Sequence, residues 1–347
     1  MNILLIADPH LPVPPLRYGG AERVAGLFAA ELSRLGHRVD LLAAAGSQSY
    51  GGHLYVHQAP SLHWHSRAHR KLRFQVQSLH AARRCEVVYN LGRFDYMEAL
   101  LAIRKPLLHC FCHPVNQALI NAAQAHIRSH TGFHFVSHHQ RAAAAVSTPA
   151  VTIANPVDTR FYRPGPGDGG YLLFLGRLTA NKGVDLAIAT ARRCDLPLVI
   201  AGNVPNEPGA AAYFQQQIQP HLAGQRVRWL GPVTDQQKQE LLGRAAALLF
   251  PIRWDEPFGI VMVEALACGT PVIATRRAST PEVIEHGRTG WLCEPTGPMG
   301  EPSVDALAEA VARLPQLDRR HCRQAAEQRF DVRVLTPHLL RSFAALR

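Results

Sequence analysis

No stretch of this 347-residue chain comes near twenty consecutive charge-free apolar residues, which excludes a membrane-spanning helix from its readable elements. There is no basic leader ahead of an apolar core at the N-terminus, where NILLIADPH runs straight into a loop as a first buried strand does. G-x-G-x-x-G does not follow that strand and no P-loop occurs, which argues against a dinucleotide oxidoreductase and against P-loop ATPases and GTPases. Asp-x-Asp, a carboxylate clamp for a metal on a sugar nucleotide, is also missing, and so is the paired C-x2-C spacing of a structural zinc site. The seven cysteines are odd in number and scattered through apolar segments, the usage of a reducing, cytoplasmic setting. No internal repeat or low-complexity tract stands out.

What is present is a soluble composition, 47% hydrophobic and 18% charged, long enough for two cores. Short apolar runs alternate with helical patterns, so the chain reads as α/β with parallel sheets. The first series of strands is Ile3–Ala7, Val39–Ala43, Leu54–His57, Val87–Leu91, Leu107–Cys112, Phe133–Ser137 and Val151–Ala154. After NPVDTRFYRPGPGDGG, dense in Pro and Gly and read as an interdomain linker, a second series follows. It comprises Tyr171–Leu175, Leu198–Ala201, Val227–Leu230, Ala247–Phe250, Pro271–Ala274 and Gly290–Leu292. The expected domains are residues 1–158, residues 159–328, and a C-terminal helix in 329–347 packed back on the first. Two such sheets would face a cleft, and ligands in these folds sit beyond the carboxyl ends of strands.

The net charge of +11 implies attraction to an anion. Basic residues concentrate between His65 and Cys85, where Arg67, Arg70, Lys71, Arg73, Arg83 and Arg84 meet no acid. Leu72, Val76 and Leu79 recur there at helical spacing, so residues 67–84 read as an amphipathic helix with a basic face. A solvated face over a core-packed stripe is the first reading and peripheral docking on an anionic membrane the second. Nucleic acid is disfavoured because no aromatics interleave with the cations. His63, His65 and His69 read as surface residues. In His109-Cys110-Phe111-Cys112-His113, strand alternation puts the histidines and cysteines on opposite faces, which favours a buried strand over a zinc site.

The loops after strands carry the candidate chemistry. Glu256 to Thr275, EPFGIVMVEALACGTPVIAT, reads as a loop, a helix, a turn and a buried strand, with Glu256 and Glu264 eight positions apart. Phe258, Gly259, Ile260 and Val261 are expected in the first turn, where unpaired N–H groups and the helix dipole suit an anion or sugar hydroxyls. Arg177 follows another strand, and Lys182 opens the helix KGVDLAIATARR after an Asn181 cap. Cations at that end of a helix make sense around a diphosphate. Tyr18-Gly19-Gly20-Ala21-Glu22 precedes a helix in the corresponding place of the first half, where paired glycines admit a ligand to the backbone.

YGGAERV, GRLTANKGVDLAI, EPFGIVMVEALACGTPVIAT and TPEVIEHGRTGWL together resemble the retaining glycosyltransferases of family 4 (glycosyltransferase group 1), over nearly the whole chain. The resemblance implies a GT-B fold of two Rossmann-like domains and transfer of a hexose from a nucleoside diphosphate sugar with retained configuration and without metal or other cofactor. A UDP-sugar is expected, UDP-glucose ahead of GDP-mannose. It further implies that Arg177 and Lys182 meet the diphosphate with Gly19 and Gly20, that Glu264 holds the ribose, and that Glu256 with the Phe258–Val261 amides holds the sugar. Val233 and Asp235 fall at the nucleobase, and His113 where the family keeps an active-site histidine. The acceptor would be a glycan, a lipid-linked group or a small molecule, and the location cytoplasmic or membrane-peripheral. A non-catalytic nucleotide-sugar-binding subunit and a GT-B epimerase are the competing readings. Two departures stand out: Pro156 follows Asn155 where the family often has glycine, and Arg276, Arg277, Ala278, Ser279 and Thr280 replace small glycines before Pro281, bringing two further cations toward the donor pocket.

Overall fold

The computed structural model describes residues 1–17, 19–57, 67–94, 98–101, 103–124, 127 and 130–347, with the backbone alone at 67–70 and 123. Tyr18, His63 and His65 lie outside the described residues, as do the side chains of Arg67, His69 and Arg70. The chain forms two units, one of residues Met1–Pro156 with Val332–Arg347, the other of Val157–Asp331.

In the first unit, β1 (Asn2–Ile6), β2 (Arg38–Ala44), β3 (Gly51–His57), β4 (Val87–Asn90), β5 (Leu107–Phe111), β6 (Thr131–Phe135) and β7 (Ala150–Thr152) form one sheet in the order β3-β2-β1-β4-β5-β6-β7. In the second, β8 (Leu172–Leu175), β9 (Leu198–Ala201), β10 (Val227–Trp229), β11 (Ala247–Phe250), β12 (Val272–Thr275) and β13 (Gly290–Cys293) run in the order β10-β9-β8-β11-β12-β13. Every neighbouring pair is parallel. The central strands are buried along their whole length, as helices on both faces of a parallel sheet require, and that is why they read as continuous apolar runs. Each predicted run forms a strand, with ends displaced by at most three residues. Strand order reverses between β1 and β4 and again between β8 and β11, which are the switch points where loops diverge to either side of a sheet.

Val24, Phe28 and Leu32 bury one face of the Gly20–Arg34 helix in the first unit. The Val332–Ala345 helix packs on that helix, its Phe343 ring meeting Tyr89 at 5.6 Å, and Arg347 pairs with Glu86 at 2.5 Å. Among the described residues no helix is long and apolar enough to cross a membrane.

Two expectations need correction. The Pro- and Gly-rich segment after Asn155 is not a loose linker, because from Val157 onward it belongs to the second unit and packs there. Gly165 N–H donates to Cys268 O at 3.0 Å and Gly167 N–H to Gly243 O at 2.9 Å, while a Cβ on Gly165 would meet the Gly243 Cα at 2.4 Å. Glycine here serves close backbone approach rather than flexibility. Secondly, the core stripe of the Arg67–Ala82 helix is Phe74, Ser78 and Ala81, all buried, and not Leu72 and Val76, which are 59% and 57% exposed.

Candidate functional site

The loop after β8 is built to hold Lys182 in place. Ala180–Lys182 form a short 3-10 turn, Gly183 turns the chain at φ 73°, and the helix proper is Val184–Arg193. Lys182 therefore lies ahead of the helix rather than opening it. Asn181 is not its cap either, since its Oδ1 accepts from Thr179 Oγ1 at 2.6 Å. Gly183 is required twice over, by its left-handed backbone and because a Cβ would meet Pro251 O at 2.0 Å.

That close approach joins the loop after β8 to the loop after β11. Arg253 spans the joint, with Nη1 and Nη2 each 2.7 Å from an oxygen of Asp185, and Nη1 also 2.9 Å from Ala180 O. Tyr213 OH donates to the same Asp185 at 2.6 Å. Burial opposes ionisation of Asp185, but the bonds from Arg253 and Tyr213 outweigh it and hold its pKa below the ordinary value. Across this joint Lys182 Nζ pairs with Glu256 Oε2, to which Trp254 Nε1 also donates at 2.9 Å, and Lys182 Nζ lies 4.7 Å from the Trp254 ring. The two side chains are 14% and 12% exposed. Ser279, fully buried, donates to the carbonyls of Glu256 and Phe258 at 2.9 and 3.0 Å and so fixes the loop from behind.

The helix that follows is shorter than expected. It runs Ile260–Ala267 with Gly259 as its N-cap at φ 81°, so Phe258 and Gly259 precede it, and Ile260 and Val261 open it. No side chain caps this end. Glu264 stands one turn further on, its side chain 1% exposed, and Oε1 accepts from Lys238 Nζ at 2.5 Å and from Tyr162 OH at 3.0 Å. Lys238 also reaches Asp235 Oδ1 at 3.3 Å, from the helix Asp235–Arg244 that Thr234 caps through a reciprocal box with Gln237. Val233 lies half-buried just before it.

Of the sequence-predicted site residues, the structure brings Lys182 to Glu256 and, through Lys238, Asp235 to Glu264, whereas the expected pairing of Lys182 with Arg177 is not among its contacts. Arg177 is tied elsewhere, to Glu207. The departure before Pro281 also resolves physically. Arg276 pairs with Glu294 at 2.6 Å and Arg277 with Asp255 at 2.7 Å, so neither adds uncompensated charge, and Ala278 adopts φ 52°, a backbone that glycine takes more easily.

Gly19, Gly20 and His113 belong to the first unit. Gly19 sits at φ 147° as N-cap of the Gly20–Arg34 helix, and a Cβ there would meet Pro15 at 2.8 Å. Glu22 in the first turn is buried, which, with Asp8 nearby, raises its pKa. His113 is exposed just past β5, beside a cavity of about 400 Å³ lined in part by Phe94, His109 and Phe111. Asn90 Oδ1 accepts from Gly92 N–H, which turns Asn90 Nδ2 toward His109 Nδ1 at 3.0 Å. Burial, with repulsion from His134, lowers the His109 pKa to about 3, so His109 is neutral with its proton on Nε2. His109 and Phe111 share a face with rings 4.7 Å apart, while Cys110 and Cys112 approach to 3.6 Å without a disulfide. Among the described residues no three His, Cys, Asp or Glu side chains converge as a metal site.

Sequence reasoning missed Lys238, Tyr162, Trp254, Ser279 and the Arg253–Asp185 clamp. Only the last had a readable signal, an arginine three residues before Glu256 and an acid in the first turn of the helix after Lys182.

Residues 159–329 match the family described as Glycosyl transferases group 1. The alpha-maltose-1-phosphate synthase of Mycolicibacterium smegmatis is 33% identical over 181 residues, 47% of this chain and 46% of that protein. The chain spans about half the length, or less, of the curated relatives it matches. Among solved structures, sucrose-phosphate synthase of Thermosynechococcus elongatus superposes with a TM-score of 0.82 at 18% identity, covering 100% of this chain and 99% of that one. The Anabaena protein HepE in complex with UDP-glucose gives 0.77 at 19% identity, covering 99% and 100%. These likenesses establish the GT-B fold, two Rossmann-like domains each with a parallel sheet. Residues 159–329, nearly all of the second unit, thus belong to the group 1 glycosyltransferases, and the whole chain has the GT-B fold.

Proposed function

We propose that the protein is a retaining glycosyltransferase that moves a hexose from a nucleoside diphosphate sugar, UDP-glucose ahead of GDP-mannose, to an acceptor hydroxyl without a metal ion. The observation that carries this reading is the meeting of Lys182 and Glu256 beside the uncapped end of the Ile260–Ala267 helix. A cation suited to phosphate and a carboxylate suited to sugar hydroxyls are there in contact, as the two sides of a glycosyl phosphate bond require. The HepE structure, whose partner is UDP-glucose, supports the choice of base and sugar.

In this reading Lys182 and Arg177 meet the charge that develops on the leaving diphosphate. Glu256 and the N–H groups from Phe258 to Val261 hold the hexose, Glu264 the ribose, and Val233 with Asp235 the base. His113 stands on the acceptor side. The bond from the anomeric carbon to the diphosphate oxygen breaks, the acceptor oxygen bonds to that carbon on the same face, and the acceptor proton passes to the departing phosphate oxygen. No covalent enzyme intermediate is required. A thermal-shift panel of UDP, GDP, ADP and their sugars, followed by hydrolysis and transfer assays with the best ligand, tests the proposal. UDP and UDP-glucose should raise the melting temperature; stabilisation by none of the panel overturns the reading.

A further inference from the structure

Five of the seven cysteines spend their S–H on oxygen. Cys85 donates to Asp40 Oδ2 and Ala81 O, Cys194 to Ala308 O, Cys268 to Gln239 O, Cys293 to Ala306 O and Cys322 to Thr289 O, at 3.5 to 4.0 Å. Burial pushes the thiols of Cys85, Cys268 and Cys322 up to about 12 and that of Cys293 to about 11, so these are inert. Cys112 differs. Its S–H donates to a second sulfur, Cys110 Sγ, at 3.6 Å.

The backbone makes this contact. β5 ends at Phe111, and Cys112 N–H turns back to Cys110 O at 3.1 Å, a three-residue turn around Phe111. In a continuing strand, residues two positions apart stand about 6.8 Å from each other, at the outer limit for a disulfide, and the turn draws them inside it. Gln140, buried, holds the turn from both ends. Its Nε2 donates to Phe111 O and to His113 O at 2.9 Å each, while its Oε1 accepts from Val136 N–H.

The two thiols have complementary surroundings. Cys110 is buried and stands opposite His134 on β6. His134 donates from Nε2 to Ile153 O at 2.7 Å, which leaves Nδ1 to meet Tyr89 OH at 2.9 Å. Burial opposes a thiolate on Cys110, but the bond from Cys112 and the neighbouring His134 outweigh it and hold the pKa below the ordinary thiol value. Cys112 is only half-buried and lines the cavity of about 400 Å³ with Phe111 and His113. One sulfur can thus be reached from outside, and the other stands ready behind it.

We propose that Cys110 and Cys112 form a reversible thiol–disulfide site, oxidised by a hydroperoxide that enters on the Cys112 side. The Cys112 sulfur attacks a peroxide oxygen: an S–O bond forms, the O–O bond breaks, and the Cys112 proton leaves with the second oxygen as water. Cys110 then attacks the sulfenic sulfur. The S–S bond forms, the S–O bond breaks, and the Cys110 proton leaves with the hydroxyl as a second water, so that two thiols lose two electrons and one peroxide gains them. The bond ties the turn shut and shifts Cys112 and His113 at the cavity. Lys182 and Glu256 belong to the other unit and keep their contacts, so the change falls on the acceptor side. That last consequence rests on the function proposed above; the bond itself does not.

The test treats the full chain with a few equivalents of hydrogen peroxide, counts thiols and maps them by mass spectrometry. Seven free thiols should fall to five, the peptide holding Cys110 and Cys112 should lose two hydrogens, and dithiothreitol should restore both. Cys110→Ala should stop at a sulfenic acid on Cys112 that dimedone traps, and Cys112→Ser should keep its six thiols. Unchanged melting temperatures show that the variants are folded; because Cys110 is buried, the more exposed Cys112→Ser serves if Cys110→Ala does not fold. In carbon-13 histidine spectra the His113 signal, identified by its loss in His113→Gln, should move on oxidation and return on reduction, with UDP affinity the same in both states. Seven thiols retained, equal oxidation of the other cysteines, a disulfide between two chains or an unmoved His113 signal overturns the proposal. Failure of UDP to bind the reduced chain would count against the function proposed above and leave the thiol count to decide this one.

Discussion

Two lysine–glutamate pairs sit on either side of one short helix and differ in a single property. Lys182 and Glu256, ahead of the helix, are 14% and 12% exposed, with a tryptophan donating to the same carboxylate oxygen. Lys238 and Glu264, at its middle, are 10% and 1% exposed, with a tyrosine in the equivalent part. The outer pair consists of groups that can exchange each other for a ligand. The inner pair stays together even as Glu264 meets the ribose, because a carboxylate at that depth needs its cation whether or not a ligand is near. Burial, not residue type, separates a pair that can part for a ligand from one that stays together.

That contrast is easiest to break at the inner pair. Lys238→Met should destabilise the second unit by about 3–5 kcal/mol, the usual consequence of stranding one buried charge. Adding Glu264→Leu to the same chain should restore much of the loss, since an apolar pair of similar volume often replaces a buried ion pair without penalty. Denaturant unfolding of the single and double variants measures both. A single variant within about 1 kcal/mol of the parent would mean the pair is solvated and the contrast false.

At the outer pair the expectation reverses. Glu256→Ala should lower transfer by about a hundredfold or more, comparable to removing one preorganised polar contact from a transition state, while unfolding free energy falls by about 1–3 kcal/mol, less than at the inner pair, as Lys182 and Trp254 lose a shared acceptor. Initial rates beside a denaturant melt check this; near-normal transfer removes Glu256 from the site. Between these extremes lies Arg253→Lys. A lysine cannot make the bidentate bond to Asp185, so the joint between the two loops should loosen, costing about 1–2 kcal/mol of stability and several-fold in donor affinity.

The sequence was legible where burial is repetitive and illegible where it is local. Among the described residues, thirteen apolar runs mark thirteen strands because a parallel sheet covered on both faces admits little else. Glu256, Glu264 and Lys182 were singled out by their spacing and their place after strands, and the structure joins Lys182 to Glu256. The inner pair's lysine was not, because Lys238 lies at the position four before Leu242 on a helix whose polar residues otherwise look solvated. The basic helix misled for a related reason. Leu72 and Val76 outweigh Ser78 and Ala81 in hydrophobicity, yet the small residues let the helix lie close on the sheet, and Phe74 fills the remaining space. The start of the Val184–Arg193 helix was misplaced because a 3-10 turn and a first helical turn use the same polar residues, and Gly183 alone marks the break.

The smallest effect on stability belongs to Arg177, and the sign of its effect on affinity is informative. Its partner Glu207 is half exposed, so their bond contributes at most about 1 kcal/mol to stability and Arg177→Ala should scarcely move the melting temperature. Affinity for UDP should fall roughly tenfold, because a charge-assisted contact to phosphate is lost. Glu207→Gln should act in the opposite direction: it leaves the arginine in place and removes the carboxylate that competes with phosphate for it. A modest rise in UDP affinity, two- to threefold or about 0.5 kcal/mol, is the expected calorimetric result. Were both variants to leave affinity unchanged, Arg177 would be a surface residue, and the phosphate charge would fall to Lys182 and the backbone amides alone.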